Sequence, residues 1–117
     1  MKSIFDGWTK QILGRWEDGE GGYCVSGWIN RRSGVNVMQA TRRIGQWVID
    51  NMEVPDHYVH PICGPVHIDT KNPISAMVWA NNERKLDIEG FKMVDLLTQG
   101  FVPEPAAEAV EEEKVSV

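Results

Sequence analysis

Apolar and polar positions recur with a helical period in four stretches of the chain. In the first, Ile4, Phe5, Trp8, Ile12 and Trp16 fall on one side of a 3.6-residue wheel, with Asp6, Lys10 and Glu17 opposite. Ser3, followed three places later by Asp6, has the spacing of a reciprocal cap, and the glycines of 19–22 predict the end of this helix. The second stretch, Tyr23 to Arg32, groups Cys24, Val25, Trp28 and Ile29 on a broad face, with Gly34 as a left-handed stop. Asn36 then reads as an N-cap, with Gln39 at the reciprocal position. The third stretch sets Val37, Ala40, Ile44, Trp47 and Val48 in one stripe and Arg42, Arg43, Gln46 and Asp50 outside it, as far as about Met52. The second and third predict a tight helical hairpin. Asp87 caps the fourth, where Phe91, Met93, Val94, Leu97 and Phe101 share a face and Lys92, Asp95 and Gln99 cover the other. Gly100 and Pro103 terminate it.

Residues 53–71 interrupt the pattern. Pro55, Pro61, Gly64 and Pro65 forbid a long helix, and Tyr58-Val59 and Val66-His67-Ile68 are compatible with a two-stranded ribbon. Asn72-Pro73 is a helix start that leads into a short apolar turn or strand, Ile74 to Trp79. The fold class that follows is mainly α, with α+β open: about four helices with an irregular or two-stranded insertion at 53–71. One globular domain over 1–102 is expected, its core anchored by Trp8, Trp16, Trp28, Trp47, Phe91 and Leu97.

Composition adds bounds. A chain of 117 residues, 42% hydrophobic and 25% charged, suits one domain that needs no disulfide or metal staple. Its apolar runs fall far short of the ~20 residues that cross a bilayer, so no membrane partner is expected. The opening Met1-Lys2-Ser3-Ile4-Phe5-Asp6 does not read as a secretory signal. Cys24 and Cys63 are too few for a disulfide framework, so both are read as reduced thiols in a cytoplasmic protein. The net charge of −5 is unevenly spread. Glu104, Glu108, Glu111, Glu112 and Glu113 against Lys114 give −4 within 103–117, leaving −1 for residues 1–102. The segment 103–117 is expected to be a disordered acidic tail. Between Glu20 and Asp50 the only charges are Arg31, Arg32, Arg42 and Arg43.

Two stretches carry a resemblance. Gly22-Tyr23-Cys24-Val25-Ser26-Gly27-Trp28-Ile29 and Val78-Trp79-Ala80-Asn81-Asn82, the latter followed by Asp87 and an amphipathic helix, resemble a family of small uncharacterised domains of actinobacteria and their phages. The family shows a Cys, a small residue and an apolar helix, then an aromatic or apolar residue, Asn-Asp and a capped helix. This chain has an extra Ala, and Asn where the Asp is typical. The resemblance covers about a third of the chain and implies origin and architecture; it carries no established activity.

The densest chemistry is His57-x-x-His60-x-x-Cys63-x-x-x-His67, which holds all three histidines and one of two cysteines. Imidazole and thiolate are zinc ligands, but the spacing matches no zinc signature and no C-x-x-C accompanies it. No bound ion and no catalytic residue are expected; zinc at His57, His60, Cys63 and His67 is the alternative, as a small metal-dependent or thiol enzyme. Cys63 begins no convincing helix, and Cys24 sits at a helix start but on the apolar face. There is no G-x-S-x-G, phosphate-cradling loop or H-E-x-x-H. Arg31-Arg32 and Arg42-Arg43, joined by a tight turn beside Tyr23 or Trp28, suggest a surface for an acidic partner. Nucleic acid is the less favoured partner, because four arginines in an acidic chain make a small footprint. Asn81-Asn82 and Asp87 read as loop caps before ligand contacts. The sequence thus points to a non-catalytic phage or actinobacterial accessory protein that binds a host or phage protein.

Overall fold

Side-chain caps set where the helices begin. In the computed structural model, which describes residues 3–32, 34–69 and 71–99, Cys24 Sγ accepts from Gly27 N–H at 3.4 Å and opens α1, Val25–Arg31. Asn36 Oδ1 accepts from Gln39 N–H at 3.0 Å and opens α2, Val37–Asn51. The ribbon β1, His57–His60, and β2, Gly64–His67, follows. Asn72 accepts from Ile74 N–H, with Pro73 in the first turn, to open α3, Pro73–Asn82. Asp87 accepts from Gly90 N–H at 2.7 Å to open α4, Ile88–Thr98. The result is a small, mainly α domain with a β insertion.

The expected first helix does not form. Asp6 Oδ2 does accept from Ser3 N–H, and Ser3 Oγ from Phe5 N–H, so the cap closes one turn. Gly7 then takes φ +93°, a left-handed conformation that ends propagation. Residues 8–24 run instead as an irregular arm, tied by Ile12 N–H to Tyr23 O and Tyr23 N–H to Lys10 O. Two aromatics of the expected helix still reach the core. Phe5 and Trp8 are buried against Phe91, with ring centroids 5.7 and 5.9 Å away, and Trp8 stacks on Trp28 at 6.5 Å. Trp16, expected in the core as the last member of that helix face, is 62% exposed.

The segment read as a short turn or strand from Ile74 is the helix α3, packed mainly on α2. Ala76, Met77, Trp79 and Ala80 are buried, along with Asn81 and Asn82. A helix apolar on nearly every side is a buried helix, and it carries no amphipathic signal to betray it. In α4 the face also differs from expectation. Phe91, Val94, Asp95 and Thr98 point inward, whereas Met93 and Leu97 are exposed, Leu97 by 65%. Trp47 is half-buried against the core. No described helix is long and apolar enough to cross a membrane. Residues 100–117, with Phe101 and the whole acidic segment, lie outside the described residues.

Candidate functional site

The ribbon's register decides what the histidines can do together. His57 lies opposite His67 and His60 opposite Gly64, so His57 and His67 share one face at one end, with ring centroids 4.8 Å apart. His60, three residues along from His57, projects from the other face, and Cys63 sits in the turn. Among the described residues no three His, Cys, Asp or Glu side chains converge to hold a metal ion. The four candidates are neighbours in sequence and are divided by the ribbon.

The second thiol has more company. Cys24, Ser26, His60 and Asn82 line a small cavity of about 100 Å³. Yet His60 Nδ1 accepts from the Ile62 and Cys63 amides, both at 3.1 Å, which leaves the ring proton on Nε2 and no free lone pair to take one from a thiol. Burial pushes the Cys24 thiol up, against the opposing pull of the Gly27 and Ser26 amides. Asn82 is occupied as well: its Oδ1 accepts from Gly14 N–H and its Nδ2 donates to the Tyr58 hydroxyl. Fully buried Asn81 accepts at Oδ1 from Gln11 Nε2 and Val25 N–H and donates from Nδ2 to Ile12 O. The asparagine pair thus clamps arm, α1 and ribbon onto the end of α3. The side-chain hydrogen bonds of His60 and Asn82 thus go to groups other than Cys24, whose Sγ accepts from the Gly27 amide.

The four arginines do not share one environment. Arg43, expected outside the stripe of α2, turns inward: Nη2 lies 2.7 Å from Asp95 Oδ1, and Nη1 donates to Asp95 O at 3.0 Å and Thr98 Oγ1 at 2.9 Å. The fully buried Asp95 also accepts from Ile4 N–H at 2.9 Å, so this pair fastens α2, α4 and the start of the arm. Burying a carboxylate on α4 demands a cation within reach, and the inner edge of α2 supplies it. Arg32 is half-buried and Arg42 exposed.

Arg31 is exposed, yet its side chain is held by neighbours. Its Nε donates to the Tyr23 hydroxyl at 2.7 Å, and its guanidinium carbon lies 5.2 Å from the Tyr23 ring centroid and 5.7 Å from that of Trp28. No carboxylate among the described residues pairs with it. Beside it is a depression of about 190 Å³ whose wall includes Trp16, Glu17, Tyr23 and Asn30. Trp16 is exposed, but its carbonyl accepts from Cys24 N–H at 3.3 Å and presses against Gly27, where a Cβ would collide with it. The arm thus presents an indole from an anchored backbone.

The chain matches no family model, no curated protein and no solved structure. Of the four arginines singled out in the sequence, Arg31 is the one that lies over aromatic rings among the described residues. Trp16 was missed as a surface residue because the helical wheel placed it inside. Its flanks, Arg15 and Glu17, both charged and both exposed, were the available signal.

Proposed function

We propose that this chain is a non-catalytic accessory protein that works by binding an acidic segment of a protein partner across Trp16, Tyr23 and Arg31. The observation that carries this is Arg31: a charge within cation–π distance of two aromatic rings, bonded at Nε to the Tyr23 hydroxyl, with its terminal amino groups unpaired among the described residues. A guanidinium held this way loses little further freedom when it grips a carboxylate through its planar fork. Trp, Tyr and Arg are also the residue types that dominate binding energy at protein interfaces. Phage or actinobacterial origin rests on the two short sequence stretches around Cys24 and Trp79.

The test uses the full chain as bait in a host lysate, as wild type and as Arg31→Glu, Trp16→Ala and Arg42→Glu variants, each checked by circular dichroism. A protein recovered by wild type and Arg42→Glu, released by salt and lost from the other two, is the expected result. Truncating one such anchor should weaken binding by about 2 kcal/mol or more, roughly 30-fold. Equal recovery by all folded variants, or recovery of nucleic acid in place of protein, overturns the reading.

A further inference from the structure

A second surface, independent of Arg31, lies along the outer edge of the ribbon. Antiparallel ladders alternate hydrogen-bonded and non-hydrogen-bonded pairs. Ile68 N–H donates to Asp56 O at 2.6 Å, and the register continues His57↔His67, Tyr58↔Val66, Val59↔Pro65 and His60↔Gly64. Counting from that bond, Tyr58 and His60 direct their backbone groups at β2, whereas His57 and Val59 turn N–H and C=O outward. Those four groups take no partner among the described residues. The same count turns the ring nitrogen of Pro65 to the outer edge of β2, which therefore lacks an amide there. Proline at such a position is a common way of closing an edge to further pairing. One edge is blunted and the other is open.

The open edge borders a cleft of about 740 Å³. His57, Tyr58 and Val59 all line it, and no β2 residue does. Side chains of consecutive strand residues alternate between faces, so three in a row line one cleft where the strand edge itself forms the wall. The rest of its lining includes Trp79, almost wholly buried, with Glu53, Glu83 and Lys85.

We propose that β1 receives an extended peptide segment of a partner protein as a third strand. His57 and Val59 offer two donors and two acceptors to its backbone, and alternate side chains supply selectivity, as in strand addition generally. An apolar side chain suits Trp79 and Tyr58. Two carboxylates against the single Lys85 favour a basic residue beside it, so this site and the Arg31 surface select segments of opposite charge. A second copy would bring its own Glu53 and Glu83 against the same two carboxylates, and that like-charge repulsion disfavours it as the occupant.

The test selects binders to the full chain from a phage-displayed library of random octapeptides. The strongest is synthesised, its affinity measured by fluorescence polarisation, and backbone amide exchange followed by NMR. The expected peptide is extended, with apolar and basic residues, and it slows exchange at His57 and Val59, which are fast without it. Val59→Pro removes one outward N–H at a position the ladder does not use and should weaken binding about tenfold or more, the equivalent of one good hydrogen bond and an obstructed edge. Val59→Ala should stay within about threefold, and Arg31→Glu should leave the affinity unchanged, which separates this site from the one proposed above. Should Val59→Pro fail to fold, amide protection in the wild type decides. Absence of any binder, protection elsewhere, or equal loss in both Val59 variants overturns the proposal. Concentration-dependent protection of the same amides without peptide overturns it in favour of self-pairing.

Discussion

Arg42 and Arg43 are adjacent in sequence and alike in chemistry, yet one is solvated and the other is locked to Asp95 at 2.7 Å. Removing Arg43 would leave a fully buried carboxylate without its cation. Breaking a buried pair from one side costs about 3–5 kcal/mol, against a total stability of about 5–15 kcal/mol for a domain. Arg43→Ala should therefore lower the urea midpoint sharply, whereas Arg42→Ala should shift stability by less than about 0.5 kcal/mol. Near-equal midpoints for the two variants would show that the pair does not hold α2 to α4. Nothing local distinguishes the two arginines. The choice is made 52 positions away by Asp95, itself assigned to the solvent face by the wheel, and a periodicity cannot see a charge that is buried because it is paired.

At the level of elements, the caps at Asn36, Asn72 and Asp87 were legible because each is a short-range bond between a side chain and an amide two or three residues on. The failures have the opposite character. Ser3 and Asp6 make their cap, but Gly7 at φ +93° stops the helix after one turn, and the fate of Trp16 changes with it. On a wheel Trp16 belongs with Phe5 and Trp8. On the irregular arm its position is set by contact with α1 at Gly27. That contact makes a prediction. A methyl group at Gly27 would meet the Trp16 carbonyl, a backbone atom that cannot rotate away. Gly27→Ala should displace the arm and cost about 1–3 kcal/mol, as overpacking does. It should also abolish recovery of the partner while Arg31 remains in place. A variant as stable as wild type in thermal unfolding, with full recovery of the partner, would mean that the arm is not clamped there.

Over the whole molecule, charge and binding pull against each other. The chain carries −5, of which −4 falls in residues 103–117, while the proposed partner segment is acidic. Long-range repulsion slows encounter; it does not loosen the contacts made once Arg31 is engaged. Truncation after Val102 takes the net charge from −5 to −1 and removes no apolar side chain larger than Val. The unfolding midpoint should stay where it is. The association rate with the captured partner should rise about threefold or more at low salt, and the dissociation rate should be unchanged. At physiological salt, where charges are screened over about 8 Å, most of that gain should disappear. Stopped-flow mixing of full-length and truncated chains at two salt concentrations measures both rates. A truncated chain that associates no faster at low salt would contradict an acidic partner. A dissociation rate that changes instead would place residues 103–117 in the bound interface.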